Sequence, residues 1–247
     1  VWQPQVRWVK CGFSLSAENR ETSITPYTAG PLPQPTPTQP NPAQPGRQFN
    51  SDDGFMPDLT ARYAWKGSWG HVAVAGLLRE LMHESTGAQW STTGVNAAID
   101  DSTWTGALSL SGKYMIGKDD IRWMALYGNL GRYVGLNFAN DAILDSSGSL
   151  ESIDGYAGFV AYRHLWTEKL RSTFTYALQS YDNDASLSLT NNTYSANKES
   201  WSWTANMFYS PIPKLDLGAE FRQGYRELEN GTDGDLYRLQ FTTKYSF

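Results

Sequence analysis

The amino-acid sequence predicts an all-β protein, and specifically a transmembrane antiparallel β-barrel with about 11 strands in this chain. Segments of roughly ten residues alternate between apolar and polar side chains, as a strand between lipid and water requires. The connections between these segments alternate between short turns and long polar loops, which is typical of outer-membrane barrels.

The first four predicted strands cover residues 2–10, 12–20, 57–67 and 70–80. The short turns "KCG" and "GSWG" join the members of each pair. In the third strand, the stretch "DLTARYAWK" puts charged residues on one face and Leu, Ala, Tyr and Trp on the other. This pattern indicates one face in contact with water and one in contact with lipid.

The next four predicted strands cover residues 104–116, 121–133, 153–164 and 169–180. The turn "GKDD" follows the first of these strands, and "WTEK" precedes the last. Alternation is ambiguous in the second and third strands, so the sequence does not assign their lipid-facing side.

The last three predicted strands cover residues 200–210, 214–226 and 236–247, with the turn "SPIPK" between the first two. The closing stretch "LYRLQFTTKYSF" alternates strictly and ends on the aromatic residue Phe247. A terminal aromatic residue is typical of the last strand of outer-membrane barrels, so we expect Phe247 to act as an assembly signal.

The long connections are expected on the extracellular side, opposite the short turns. They comprise residues 21–56, 81–103, 134–152, 181–199 and 227–235. Aromatic residues near the strand ends are expected to form girdles at the two membrane interfaces. These residues are Trp8, Trp65, Trp69, Trp104, Trp201, Trp203, Tyr209 and Tyr245.

A soluble β-sandwich is the competing fold, because its strands also alternate in polarity. Sandwich strands usually have about five or six residues, whereas the predicted strands are long enough to cross a bilayer at a tilt. Charged residues also lie in the middle of these strands, where an aqueous lumen explains them better than a dry core does.

Composition excludes several other classes of protein. The longest apolar run, "VAVAGLL", is far shorter than the ~20 residues that a membrane-spanning helix needs. The one cysteine, Cys11, cannot form an internal disulfide and is interpreted as a tolerated turn residue. A net charge of -5 argues against a nucleic-acid partner.

An odd number of strands does not suit a closed single-chain barrel, whose strand number is even. The sequence is therefore expected to be the C-terminal part of a larger barrel, whose other strands either lie on a separate N-terminal segment or have been cut away. A processed chain or a fragment also fits the missing initiator Met and signal peptide. The alternative is that one weak strand has been miscounted.

Four stretches resemble one family. They are "QPQVRW" (3–8), "MPDLTARYAWKGSWGHVAVAGLLREL" (56–81), "GRYVGLN" (131–137) and the ending "TTKYSF". Together they are similar to the DcaP-like outer-membrane porins of Gram-negative bacteria. The resemblance implies a 16-stranded homotrimeric porin for small anions, including dicarboxylates, of which about five strands are absent here. The family's N-terminal coiled-coil extension has no counterpart in this sequence.

Residues 1–247 are interpreted as one barrel domain with a proline-rich extracellular loop at 29–46. That composition predicts an extended, polyproline-like loop tip. The loop is either a stiff surface segment or a site for a receptor or partner, and no residue in it specifies a partner.

The histidines His71, His83 and His164 have no metal-binding spacing, so no metal or cofactor is predicted. The stretch "LMHES" could place His83 and Ser85 on one strand face, as a rim enzyme would need. Catalysis is the weaker interpretation, and the protein is predicted not to be an enzyme. Loop carboxylates such as those at 52–53 and 182–184 are interpreted as solvated acids rather than a calcium site.

The polar parity of the unambiguous strands predicts a basic lumen, with eleven cations against four acids. The cations are Arg7, Arg20, Arg62, Lys66, Arg79, Lys113, Arg171, Arg222, Arg226, Arg238 and Lys244, and the acids are Glu18, Asp58, Asp216 and Glu220. Such an excess favours anions, because a narrow channel focuses the potential of its wall charges.

Four arginines are the leading candidates for contacts with solute, namely Arg62, Arg79, Arg222 and Arg238. A guanidinium group can bind a carboxylate through two parallel hydrogen bonds. Glu220 lies two residues from Arg222 on the same face and is expected to keep these side chains extended and binding weak.

The sequence therefore predicts a porin of the bacterial outer membrane, in contact with lipid, for passive diffusion of small anionic solutes through an arginine-lined pore. The alternative function is a barrel that does not transport, either a rim enzyme or a structural, partner-binding protein that acts through its loops. Conductance of the reconstituted protein separates the two.

Overall fold

The computed structural model describes most of the chain, with gaps in the long connections and at the two ends. The described residues are 4–26, 49–51, 53–85, 99–131, 133, 139–144, 149–183 and 196–246. Phe247 and the proline-rich segment 29–46 lie outside them. No helix in this part of the chain is long and apolar enough to cross a membrane.

The described residues form fifteen β-strands. They are β1 (Gln5–Lys10), β2 (Phe13–Glu18), β3 (Thr22–Pro26), β4 (Phe49–Ser51), β5 (Asp58–Gly67), β6 (Gly70–Ser85), β7 (Ile99–Ile116), β8 (Asp119–Asn129), β9 (Ala142–Leu144), β10 (Leu150–Ser152), β11 (Asp154–Leu165), β12 (Leu170–Asp182), β13 (Asn197–Ile212), β14 (Leu215–Leu228) and β15 (Asp233–Tyr245). Eleven of them, here called the long strands, correspond to the eleven predicted segments. β6 and β7 extend further into their shared long connection than expected, whereas β2 has six residues and is shorter than the predicted 12–20.

The eleven long strands build one antiparallel sheet, in the order β1-β2-β5-β6-β7-β8-β11-β12-β13-β14-β15. Each strand pairs with the next long strand in the chain. β1 and β15 lie at the two edges and do not pair with each other in the described structure. The sheet has the meander topology of an outer-membrane barrel wall, and within the described residues it is not closed.

Short turns join the strands at one end of the sheet. In the turn between β1 and β2, Cys11 and Gly12 both have positive φ angles, 49° and 83°. Two consecutive left-handed residues are typical of a two-residue hairpin whose twist matches that of its strands. Cys11 is exposed and its thiol is free, in agreement with its interpretation as a turn residue.

One face of the sheet, here called the apolar face, carries most of the exposed large hydrophobic side chains. Leu108 is 65% exposed and Phe241 is 75% exposed, and the large apolar residues of neighbouring strands lie opposite one another. Soluble monomers rarely expose a continuous apolar surface of more than a few hundred Å². The apolar face is therefore a surface for contact with lipid.

Aromatic rings on the apolar face contact one another across strands. Trp201 stacks between Tyr176 and Tyr225, with centroid distances of 6.5 and 5.9 Å. Within β5, Tyr63 and Trp65 also meet edge to face at 4.5 Å. Offset and edge-to-face pairs of this kind stabilise neighbouring strands beyond the area that they bury.

The four short strands form a second sheet, here called the inner sheet, in the order β10-β9-β3-β4. β3 and β9 pair in parallel, and the other neighbours pair antiparallel. These strands lie within the connections 21–56 and 134–152, which the sequence predicted as loops without strands. That prediction was wrong for these segments, because three- to five-residue strands held by tertiary contacts leave no alternation to detect.

The inner sheet packs against the face of the large sheet opposite to the apolar face, here called the polar face. Ile24, Ala142, Leu144 and Leu150 of the inner sheet form a buried cluster with Leu81 of β6. In a second buried cluster, Ala157 of β11 and Tyr181 of β12 pack with Leu130, Ala139, Ile143 and Ile153. The inner sheet and its flanking segments therefore extend over the polar face from β6 to β12, at the end of the long connections.

The prediction that a strand continues to residue 133 was also wrong, because β8 ends at Asn129. Gly128 has a φ of +115°, and a Cβ there would lie 2.3 Å from the carbonyl oxygen of Gly106. Only glycine fits this position. The chain leaves the wall after it and enters the buried cluster at Leu130.

Candidate functional site

The polar face carries the charged side chains that the strand periodicity predicted, except Arg20, which lies beyond the end of β2 at Glu18. The register also adds charged residues to the set. Among strand residues whose face the pairing fixes, twelve cations and six acids lie on it. The cations are Arg7, Arg62, Lys66, Arg79, Lys113, Arg122, Arg163, Arg171, Arg222, Arg226, Arg238 and Lys244, and the acids are Glu18, Asp58, Asp101, Asp120, Asp216 and Glu220.

Two of the strands whose parity the sequence left unassigned contribute the densest group of charges. Asp120 of β8 is fully buried and contacts Arg122 at 2.8 Å, Arg163 at 2.5 Å and Lys113 at 3.7 Å. The three cations are between 29% and 49% exposed, so their charges face water. This group near the short turns thus contains one carboxylate and three cations, which gives it a net charge of +2.

A row of basic side chains crosses four strands at this level. Lys66 of β5 lies opposite His71 of β6, His71 opposite Lys113 of β7, and Lys113 opposite Arg122 of β8. Residues directly opposite in antiparallel strands have Cβ atoms about 4.5–5.5 Å apart, so the like charges of Lys113 and Arg122 repel each other. This repulsion makes the row a favourable place for an anion.

Arg222 and Arg238, two of the leading candidates, lie directly opposite each other on β14 and β15. Arg222 Nε donates to Thr204 Oγ1 at 3.1 Å, and Arg238 donates to Gln240 on its own strand. Glu220 accepts from Asn206 Nδ2 at 3.4 Å, so its described contact is to a neighbouring strand rather than to Arg222.

A concave cavity of about 740 Å³ covers this part of the sheet. Its lining includes Arg222, Arg226, Gln179 and Ser202, all on the polar face. Charged and hydrogen-bonding side chains line this concave surface beside the apolar rings of other residues, such as Phe159. Such a surface can hold a small anionic organic molecule.

The other predicted cations have partners within the wall or face open space. Arg7 Nε donates to Ser14 Oγ at 2.9 Å, and Arg226 Nε donates to Asn197 Oδ1 at 2.5 Å. Arg171 pairs with Asp216 at 3.1 Å, and Lys244 lies opposite Asp216 on the next strand. Arg62 is exposed on β5, opposite Ser14 and Ala75.

Arg79 differs from the other candidates because its side chain is completely buried. Its guanidinium contacts Asp58, Asp141, Asn129 and the backbone carbonyl of Glu21. The expectation that Arg79 faces an open lumen was wrong, because the inner sheet covers this level of β6. Arg62 and Arg79 lie on the neighbouring strands β5 and β6, where the register places Arg62 opposite Ala75.

His83, the residue considered for a rim enzyme, also contacts an inner segment. Its Nδ1 lies 3.1 Å from Asp53 Oδ2, and the same oxygen accepts from the backbone N–H of Glu84 at 2.9 Å. Burial raises the pKa of Asp53, but hydrogen bonds from Glu84, Ser51 and His83 outweigh it and lower the pKa. Within the described ranges, no group of His, Cys, Asp and Glu side chains could hold a metal ion.

The model of the DcaP outer membrane protein family matches residues 47–247. The chain belongs to the DcaP outer membrane protein family. It is therefore a protein of the bacterial outer membrane, and the apolar face of its large sheet is the surface that meets lipid. No curated protein matches the sequence.

The outer membrane channel DcaP of Acinetobacter baumannii has a similar structure, with a TM-score of 0.69 at 19% sequence identity. The match covers 99% of this chain and 62% of that channel, so the chain spans less than two thirds of its structural relative. OmpT of Vibrio cholerae matches with a TM-score of 0.42, at 12% identity, over 98% of this chain and 63% of that protein. The first match shows the fold of this DcaP family member.

Proposed function

We propose that this chain forms part of the wall of an outer-membrane porin through which small anionic solutes, dicarboxylates among them, diffuse passively. The single observation that carries the proposal is the twofold excess of cations over acids on the polar face. The lipid-facing side of a barrel excludes acids and bases alike, so exclusion from lipid alone does not produce the excess. A basic wall around water attracts anions and repels cations.

Two basic regions, together with the exposed Arg62 of β5, are the proposed solute contacts. One is the row Lys66, His71, Lys113 and Arg122 near the short turns, and the other is the pair Arg222 and Arg238 with Arg226. Guanidinium groups stay charged at any physiological pH and bind carboxylates with two hydrogen bonds. Side chains that face water keep such binding weak enough for release, which flux requires.

The same proposal extends to the assembly. The open edges at β1 and β15 are closed by strands that precede this chain in a 16-stranded barrel, and three such barrels form a trimer. The coverage of 62% of the related channel supports the additional strands. The trimer is supported by membership of the family alone.

The test is the reversal potential of the intact protein, purified from outer membranes and placed in a planar bilayer under a salt gradient. We expect anion selectivity, and a clear loss of it when Arg62, Arg222 and Arg238 are all changed to Ser. Lys10→Ser is the matched control, because Lys10 lies opposite Phe13 on the apolar parity of β1. Cation selectivity in the wild type, or unchanged selectivity in the triple variant, would contradict the proposal.

A further inference from the structure

Arg79 lies at a junction between the wall and the two segments that enter the inner sheet. Its Nη1 donates to Asp141 Oδ1 at 2.8 Å, just before β9. Its Nη2 donates to the carbonyl oxygen of Glu21 at 2.7 Å, just before β3. Its Nε lies 3.3 Å from Asp58 Oδ1, at the start of the wall strand β5. One side chain therefore connects the wall to both connections that fold inward.

The partners of Arg79 are themselves connected to the inner sheet. Asp141 accepts from the backbone N–H of Ser23 at 2.9 Å and from its hydroxyl at 3.0 Å. Asn129 donates to the carbonyl oxygens of Asp141 and Ile153 at 2.7 and 3.1 Å. The network thus fixes the start of β3, the start of β9 and the residue after β10 relative to one another.

Burial makes this network sensitive to the loss of its cation. Arg79 and Asp58 are 0% exposed and Asp141 is 1% exposed. Without the guanidinium, two carboxylates would be buried together with no cation between them, which is strongly unfavourable. The inner segments can relieve this repulsion by moving away from the wall into water.

Other hydrogen bonds of the inner sheet show which part of the wall it covers. Ser152 Oγ lies 2.8 Å from Thr105 Oγ1, and the N–H of Leu150 donates to Asp101 Oδ2 at 2.7 Å. Both wall residues belong to the polar face of β7. The inner sheet therefore covers the surface that, on the proposed function, lines the water-filled channel.

We propose that Arg79 is a positioning residue, which holds the inner sheet across the polar face and so sets the width of the channel at this level. The claim that Arg79 sets the width of the channel rests on the proposed function. The anchoring itself does not depend on conduction and can be measured separately.

The first experiment measures the anchoring by thiol labelling. Ala142 is fully buried in β9, so Ala142→Cys, in a Cys11→Ser background, reports whether the inner sheet leaves the wall. In intact outer membranes, a water-soluble maleimide is expected to label this cysteine slowly with Arg79 present and much faster in Arg79→Met. Arg62→Met is the matched control, because Arg62 is exposed and is expected to leave the labelling rate unchanged. Equal labelling rates with and without Arg79 would overturn the inference, whether or not the protein conducts.

The second experiment measures the channel. Arg79→Met is expected to replace one steady conductance level by larger, fluctuating levels. The pair Thr105→Cys and Ser152→Cys, oxidised to a disulfide, should restore the steady level, and a reductant should abolish it again. Fluctuations that the disulfide does not suppress would overturn the inference. A wild type that does not conduct would refute the proposed function. The labelling result alone would then decide whether Arg79 anchors the inner sheet.

If Arg79→Met does not fold, neutralising its two acids provides the test. Arg79→Met with Asp58→Asn and Asp141→Asn removes the buried charges while keeping side chains of similar shape. This variant is expected to restore folded protein and still to label faster at Ala142→Cys than the wild type. Labelling as slow as in the wild type would show that the guanidinium is not the anchor.

Discussion

Asp120→Asn is expected to make the channel more selective for anions, in the opposite direction to the loss of an arginine. Asp120 is buried among Lys113, Arg122 and Arg163, and it is the one acid in contact with these three cations in the described structure. Removing its charge leaves the three cations uncompensated. An anion passing near them then meets a more positive wall, and a cation meets a stronger barrier.

The size of the effect follows from Coulomb's law. A solute ion that touches the cations passes roughly 6 Å from the buried carboxylate, where one unit charge in water is worth about 0.7 kcal/mol. Screening at 0.1 M salt, with a Debye length of about 10 Å, reduces this to about 0.4 kcal/mol. The anion gains this energy and the cation loses it, so the permeability ratio rises about fourfold. At 1 M salt the Debye length of about 3 Å reduces the change to less than about 1.5-fold.

The same substitution is expected to destabilise the protein moderately. Breaking a buried ion pair costs about 3–5 kcal/mol, but partly exposed cations can turn toward water, so we expect a cost of about 2 kcal/mol. The amide oxygen of Asn can still accept from Arg122. The folded fraction is checked by heat-modified mobility on a gel before any conductance is measured.

The assay is the reversal potential in KCl gradients centred near 0.1 M and near 1 M. Asp119→Asn is the matched control, because Asp119 is the adjacent acid and contacts His164 and Tyr162 on the apolar parity of the sheet. It should leave selectivity unchanged. A shift toward cations in Asp120→Asn, or no shift at low salt, would refute the assignment of the polar face to the pore.

Three other predictions concern assembly and the turns. Deleting Phe247 should lower the yield of folded, heat-modifiable barrel, and a normal yield would count against its role as an assembly signal. Replacing residues 30–46 by a short Gly/Ser linker should preserve folding and conductance, because β3 and β4 are an antiparallel pair whose ends the linker can join; a large change in conductance would show that this segment lies in the pore. Gly70→Ala should reduce the folded yield far more than Gly117→Ala. A Cβ at Gly70 would lie 2.0 Å from the carbonyl oxygen of Lys113, whereas a Cβ at Gly117 would have no heavy atom within 4 Å. Equal yields would contradict the clash.

Strand periodicity was sufficient to predict the large sheet and the side of it on which most charges lie. The strands at 57–67 and 236–247 alternate so regularly that their apolar sides could be read directly from the sequence. Alternation is less regular in β8 and β11, where Met124 and Phe159 lie on the polar face. The Asp120 cluster was missed for this reason, since three of its four members lie on those two strands.

Periodicity could not separate Arg79 from Arg62, because both lie on the polar parity of their strands. The difference comes from the inner sheet, which covers Arg79 and leaves Arg62 exposed. Its strands have three to five residues and depend on contacts between connections that lie more than a hundred residues apart, such as Ser23 with Asp141. Local patterns hold no information about such contacts, although Asp141 in the connection 134–152 was visible as a potential partner for an arginine.

The most direct test of the central claim is the reversal potential of the wild-type protein in a KCl gradient near 0.1 M. The excess of cations on the polar face predicts a potential of the sign that anion selectivity gives, and a decline of this selectivity toward 1 M as salt screens the wall charges. A reconstituted protein that prefers cations, or that folds into the bilayer and carries no current, would contradict the account.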